Sequence, residues 1–111
     1  MNYRHLTEDE VLRLKSQSCL ADDWGKVMVA EDFVTEFVHH TRFSGDVRLG
    51  VFQSEFTLPG GIKKHSGLRH VTLHNVTVGD NCCIRNIQNY IANYQIGHGT
   101  FIVNVGIILV V

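Results

Sequence analysis

The sequence predicts a mainly β fold, a parallel β-helix, on the basis of two repeating patterns. Read in units of six from Val78, the chain begins every unit with an apolar residue: Val78, Ile84, Tyr90, Ile96, Ile102 and Ile108. Three units make a longer period of eighteen, at which Asn86 recurs as Asn104. A fixed short period with an aliphatic leader is typical of a β-helix, in which each coil buries its apolar side by stacking on the next. A β-sandwich is the alternative, but its strands alternate with period two.

This periodicity predicts which leaders contact each other. Residues eighteen apart should stack in neighbouring coils: Val78 on Ile96, Ile84 on Ile102, and Tyr90 on Ile108. We therefore expect the leaders to be buried. The recurring Asn86 and Asn104 should lie at corners, because asparagine and glycine tolerate the left-handed backbone that tight corners need.

The N-terminal segment, residues 1–37, is predicted to be a helix and a cap. A helix is expected over Leu6–Gln17, with Thr7 as N-cap and Glu10 as its partner in a capping box. Trp24 is expected to pack this helix onto the coil, and Val27–Val29 to form a strand. A cap of this kind covers the open edge of the first coil.

Residues 38–111 are predicted to form the coils. Three copies of a pattern begin with an aliphatic residue and end in aliphatic-Gly: Val38–Gly50, Leu68–Gly79 and Ile84–Gly97. A fourth copy starts at Ile102, so the coil should begin near Val38. Between the first two copies lies a loop insertion around residues 51–67, in which Pro59, Gly60 and Gly61 predict a turn.

Charge becomes scarce towards the end of the chain. Beyond Arg69 the charged side chains are Asp80 and Arg85, and the last ten residues are almost entirely apolar. A solvated coil should carry outward charges. We therefore expect the last coil to be covered by further coils of a longer protein, by a second copy of the chain, or by a partner.

Composition excludes several classes of protein. A net charge of −1 argues against a general nucleic-acid binder. The longest apolar run, residues 106–111, is far below the roughly twenty residues of a membrane span, and residues 1–10 are too polar for a signal peptide. Three cysteines suit a reducing cytoplasm, and their spacing predicts no metal site.

The repeat resembles that of a known superfamily. An aliphatic leader, then glycine, with a small residue four places on (Cys82, Thr100), is similar to the hexapeptide repeat of left-handed β-helix proteins. The resemblance implies a left-handed parallel β-helix, although crossovers are usually right-handed. It also implies trimers and an acyl- or nucleotidyltransferase acting on substrates such as acyl-CoA or a nucleotide-sugar, with a histidine at the subunit interface as general base.

A second resemblance is narrower. The N-terminal pattern, and above all Cys19-x-Ala21-x-Asp23-Trp24, resembles the N-terminal part of a family of large uncharacterised bacterial proteins. In that family a capped helix precedes hexapeptide coils. The resemblance implies that the present chain is a fragment, and it implies no reaction.

The candidate functional residues are histidines and lysines. His70 and His74, four apart in an extended segment, should face the same side, and histidine suits general-base catalysis near neutral pH. Lys63, Lys64 and His65 follow a flexible glycine pair and could bind a phosphate or carboxylate, unless they form only a solvated turn. The sequence identifies no cofactor. The functional alternative to a transferase is a non-catalytic scaffold that mediates self-assembly.

Overall fold

The computed structural model describes residues 2–109, which fold into a mainly β structure with one α-helix. The helix is α1 (Glu8–Ser16), and a 3₁₀ turn covers Trp24–Lys26. The strands are β1 (Tyr3–His5), β2 (Leu20–Ala21), β3 (Val27–Ala30), β4 (Val38–Ser44), β5 (Val47–Leu49), β6 (Glu55–Thr57), β7 (Lys63–His65), β8 (Gly67–Val78), β9 (Cys83–Arg85), β10 (Tyr90–Ile96), β11 (Phe101–Val103) and β12 (Ile107–Leu109). The predicted β class and the strand at Val27 are confirmed.

Ten strands form one sheet whose pairings are parallel, apart from the antiparallel pair β1–β3. The pairs β8–β10 and β9–β11 join residues eighteen apart, with Val78 opposite Ile96 and Ile84 opposite Ile102. These two predicted contacts between leaders are therefore confirmed. Val78, Ile84 and Ile96 are buried, but Ile102 is only half-buried, because β9 is the one described strand that pairs with β11.

The third predicted contact is wrong by one residue. Tyr90 lies opposite Ile107, and Ile91 lies opposite Ile108. Three residues separate β11 from β12, whereas four separate β9 from β10, so the six-residue phase slips at this corner. Ile91 is accordingly buried and Tyr90 half-buried. The side chains of residues 107–109, and residues 110 and 111 as a whole, lie outside the described part of the chain. The same therefore holds for what the sequence predicts for them.

Parallel pairing begins before Val38. Strand β2 pairs with β4, where Leu20 lies opposite Arg42, and β3 pairs with β5, where Val27 lies opposite Val47. The paired residues are 22 and 20 positions apart in the sequence, so a period of eighteen does not predict these two pairings. Two strands within residues 1–37 thus belong to the same stack as the later ones.

The capping box at the start of α1 is confirmed. Thr7 Oγ1 accepts a hydrogen bond from Glu10 N at 3.2 Å, and Glu10 Oε1 accepts one from Thr7 N at 2.9 Å. Both bonds satisfy N–H groups that have no partner inside a helix. Further along, Trp24 contacts Phe43 edge-on at 5.9 Å between ring centroids, so Trp24 packs against β4 as predicted.

Residues with a left-handed backbone (positive φ) lie opposite one another in neighbouring parallel strands, and they bend those strands. One column holds His40, His70, Asn86 and Asn104, with φ between +47° and +60°. A second holds Gly45, Asn75 and Asn93, and a third holds Asn81 and Gly99. The left-handed backbone predicted for Asn86 and Asn104 is therefore confirmed, and β8 contains two such residues, His70 and Asn75.

Side chains at these corners also join successive passes of the chain. Asn75 Oδ1 accepts from Asp46 N at 2.9 Å, and Asn81 Oδ1 accepts from Gln53 N at 2.8 Å. Each bond satisfies a backbone donor where the ladder is interrupted, and so fixes one pass over the next.

The insertion around residues 51–67 contains an antiparallel hairpin, β6–β7. Because of this insertion, residues paired between β4 and β8 lie 30 positions apart in the sequence, as Phe43 and Leu73 do. Residues paired between β8 and β10 lie 18 positions apart. The predicted turn is confirmed, since Gly61 N donates to Leu58 O at 3.0 Å and Gly60 and Gly61 both have positive φ. The hairpin brings His65 to the start of β8.

Candidate functional site

A shallow groove of about 490 Å³ lies over the middle of the stack. It is lined by Asp22, Arg42, Ser44, Thr72, His74, Asn89, Tyr90, Ala92 and Asn93. These residues come from the ends of β4 and β10, the middle of β8 and the loops beside them. The lining combines hydroxyl, amide and charged groups with the apolar surface of Tyr90 and Ala92, a mixture usual in small-molecule sites.

His74 lies at the end of a short chain of hydrogen bonds in this groove. Ser44 Oγ donates to Asp22 Oδ2 at 2.8 Å, so it can accept the Nδ1–H of His74, which lies 2.9 Å away. The Nε2 atom of His74 then accepts from Asn75 Nδ2 at 3.2 Å. Because the serine proton points at the carboxylate, this order of bonds holds the proton of neutral His74 on Nδ1.

The arrangement differs from a nucleophilic Ser-His-Asp triad, in which the histidine stands between the other two. Here Ser44 stands in the middle, and its proton is directed to Asp22. The lone pair on His74 Nε2 is the basic group that faces out of the network. An incoming hydroxyl or amine could reach it by displacing the amide of Asn75.

His70 lies apart from His74. It is a corner residue with φ +54°, and its ring stacks on that of His40 at 4.5 Å with an angle of 8° between the planes. The expectation that His70 and His74 face one side assumed regular alternation. The left-handed residue at position 70 breaks that alternation, so the two side chains contact different partners.

A second hollow, of about 300 Å³, lies beside the start of β8 and is called the basic pocket below. It is lined by Glu36, Phe37, His39, His65, Ser66, Gly67, Leu68, Arg69 and Arg85. Of the three residues predicted to bind an anion, only His65 lines it. Lys63 is exposed opposite Thr57, and Lys64 is half-buried opposite Phe56 in the hairpin.

Sequence reasoning did not place His39, Arg69 and Arg85 in an anion-binding site. They lie opposite one another in β4, β8 and β9. Each directly follows a buried aliphatic residue that begins its copy of the pattern, in Val38-His39, Leu68-Arg69 and Ile84-Arg85. This shared position in the pattern could have indicated that the three residues lie together. Their spacings in the sequence, 30 residues from His39 to Arg69 and 16 from Arg69 to Arg85, do not fit a period of eighteen.

The cysteines and acidic residues offer no further chemistry among residues 2–109. All three cysteines are buried, and burial raises the pKa of the Cys19 and Cys82 thiols, which disfavours the nucleophilic thiolate. No group of three or more His, Cys, Asp or Glu side chains in this part of the chain could hold a metal ion. The same residues contain no helix long and apolar enough to cross a membrane.

Comparisons with known proteins identify a family and no activity. An uncharacterized protein of Treponema pallidum (strain Nichols) is 30% identical over 102 residues, which cover 86% of this chain and 13% of that protein. The chain thus spans about an eighth of the curated relative it matches. No solved structure matches the chain. Residues 3–111 match the family described as a domain of unknown function, DUF4954, and the chain therefore belongs to the DUF4954 family.

Proposed function

We propose that this chain forms coils of a left-handed parallel β-helix of the hexapeptide-repeat kind, in a transferase that uses His74 as a general base. The coil is supported by the parallel pairings eighteen residues apart and by the three columns of left-handed corner residues. The handedness rests on the similarity of the repeat to hexapeptide proteins. The buried thiols suit a cytoplasmic location.

The hydrogen-bond chain from Asp22 through Ser44 to His74 is the observation that carries the catalytic proposal. It orients the imidazole and leaves Nε2 as the acceptor, which a general base requires. An acceptor hydroxyl would give its proton to Nε2 while its oxygen attacks the thioester carbonyl of acyl-CoA. The carbon–sulfur bond then breaks, and the departing thiolate takes the proton from His74.

The lining of the groove favours a sugar-nucleotide acceptor. Thr72, Asn89 and Asn93 supply hydroxyl and amide groups for the hydroxyls of a sugar, and the half-buried ring of Tyr90 offers an apolar face. In small-molecule sites, a few placed polar groups of this kind fix the orientation of the ligand.

The test is an acyl-transfer assay with acetyl-CoA and a panel of UDP-sugars, which follows the release of free CoA. His74→Ala should lower kcat by about a hundredfold or more, with a small change in KM. His5→Ala is the matched control, because His5 is an exposed histidine in β1 outside the groove. No turnover by the parent protein, or an equal loss in His5→Ala, would exclude this role for His74.

A non-catalytic scaffold is the second candidate. It is favoured by the exposure of two aromatic residues near the end of the stack, Tyr94 at 41% and Phe101 at 37%. Among the described residues, β10 is the one strand that pairs with β12, so the other edge of β12 can pair with a further strand.

Light scattering on the 111-residue chain tests whether it self-assembles. A scaffold should form oligomers that Phe101→Ser weakens, and a monodisperse monomer at micromolar concentration would exclude self-assembly.

A further inference from the structure

We propose that the basic pocket binds a phosphoryl group between Arg69 and Arg85. This site is independent of the proposed catalysis at His74. Arg69 precedes the corner residue His70 in β8, whereas His74 follows it, so the pocket and the groove lie on opposite sides of one bend.

The first argument is the charge of the column. Arg69 and Arg85 lie directly opposite each other in the parallel strands β8 and β9, and neighbouring strands are about 4.8 Å apart in any sheet. Like charges in this position destabilise a sheet. The ion pairs among the described residues are Arg4–Glu10 and His98–Asp80, so neither arginine of the pocket has a carboxylate within 4.0 Å. A bound anion would remove that repulsion.

The second argument is an unsatisfied donor. Arg85 Nε is fully buried and, among the buried side-chain nitrogen and oxygen atoms of the described residues, is the one without a hydrogen-bond partner. Another nitrogen of the same guanidinium, Nη2, donates to His65 O at the long distance of 3.4 Å. Buried donors without a partner are rare and costly in native proteins, and an unoccupied ligand site is one physical reason for them.

The third argument is the rigidity of the surrounding groups. The ring of His65 stacks on Phe37 at 3.6 Å between centroids, and its Nδ1–H donates to Ser66 O at 2.7 Å. His39 Nε2 donates to Glu36 O at 2.8 Å. One nitrogen of each histidine therefore donates to a backbone carbonyl, which fixes the orientation of both rings at the pocket. A site held in place in this way loses little entropy when it binds.

The chemistry of the pocket favours phosphate over carboxylate. Two guanidinium groups match a doubly charged phosphoryl group, whose oxygens accept the paired N–H groups of arginine. Glu36 supplies the single carboxylate of the lining against the two arginines, so the net charge of the lining is positive. A volume of about 300 Å³ admits the phosphoryl group and part of the molecule that carries it.

The experiment is a calorimetric titration of the 111-residue chain with inorganic phosphate and, in a separate arm, with acetate. Phosphate should bind saturably and at least about tenfold more tightly than acetate, because two charge-assisted contacts replace one. Arg69→Gln and Arg85→Gln should each weaken phosphate binding by about tenfold or more. Arg48→Gln is the matched control, since Arg48 is an exposed strand arginine outside the pocket, and its affinity should stay within about twofold.

Two further measurements separate binding from folding. Arg85→Lys keeps the charge and the side-chain stem but loses the fork, so it should weaken phosphate binding less than Arg85→Gln. Phosphate should raise the Tm of the parent and fail to raise that of Arg69→Gln, a substitution at an exposed position. The proposal is overturned by a lack of saturable phosphate binding, by equal affinity for acetate, or by an equal loss of affinity in Arg48→Gln.

Discussion

The groove and the basic pocket lie on the two sides of one bend in β8, and they treat polar side chains in opposite ways. In the groove, each member of the chain Asp22, Ser44 and His74 has a protein partner within 2.9 Å. In the pocket, two arginines lie opposite each other in paired strands with no carboxylate within 4.0 Å of either, and one nitrogen is buried without a partner. The comparison shows that the network in the groove fixes the orientation of His74, whereas the unpaired charges of the pocket are the reason for proposing a ligand there.

The largest expected effect tests whether the two regions share one core. Leu68 lies behind the pocket and Leu73 behind the groove, and both are buried. Leu68→Ala and Leu73→Ala should each lower the free energy of unfolding by about 2–5 kcal/mol, because each leaves a cavity. Urea denaturation measures this, with Leu12→Ala on the exposed side of α1 as control. A cost below about 1 kcal/mol at either position would contradict the burial of that side chain in a core common to the two regions.

The next effect concerns the bend that divides the regions. His70 has φ +54°, so His70→Val should cost about 1–2 kcal/mol of backbone strain, whereas His70→Asn should cost much less. Both variants lose the stacking on His40, so their difference isolates the backbone conformation. Thermal unfolding of the two variants measures it. Equal stabilities would contradict a structural role for His70 at the corner.

A smaller effect tests the network in the groove. Ser44→Ala removes the hydroxyl between Asp22 and His74 and should cost about 1 kcal/mol, the typical value of a hydrogen bond. The proton of neutral His74 should then no longer be held on Nδ1, which nitrogen NMR of the ring detects. If the ring nitrogens keep the same shifts in the variant, Ser44 does not set the tautomer.

The smallest effect comes from an arginine that has a partner. Arg4 donates to both carboxylate oxygens of Glu10, at 2.7 and 3.0 Å, and this hydrogen bonding holds the pKa of Glu10 below its ordinary value. The pair therefore stabilises the fold above the pKa of Glu in the unfolded chain, about 4.3, and the contribution is lost as the pH falls through the folded pKa.

The pair should contribute up to about 1 kcal/mol, the usual range for ion pairs near the surface. Glu10→Gln should accordingly lower the stability at pH 7 and lower it less at pH 3, where the carboxylate is closer to being protonated. Unfolding curves at the two values measure the difference. An equal loss at both would assign the effect to the capping box alone, whose bonds also use the Glu10 side chain.

Periodicity made part of this structure predictable, and irregular spacing concealed the rest. Val78, Ile84 and Ile96 keep the six-residue phase, so their burial and register follow from the sequence alone. Leu20 and Val27 belong to the same stack but lie 22 and 20 residues from their partners. A search with one fixed period cannot find them, because loops of different length connect strands that still pair in register.

The candidate sites were harder to predict for the same reason. His74 could be named from its residue type, but its partners Asp22 and Ser44 lie 52 and 30 positions earlier and meet it only through strand pairing. The basic pocket depends on Arg69 and Arg85 being neighbours across β8 and β9. Arginine usually lies at the surface, so the residue type alone did not indicate a site. The register between β8 and β9 is what brings the two arginines together.

The hairpin β6–β7 indicates how this protein can acquire new parts. The chain adds it between β5 and β8 while those two strands remain paired, Arg48 with Thr77 and Leu49 with Val78. Length at this point is therefore free to vary during evolution, because an added segment leaves the sheet on both sides intact. The exposed glycines at its tip, Gly60 and Gly61, are a natural place to graft an epitope, a fluorophore or a whole domain.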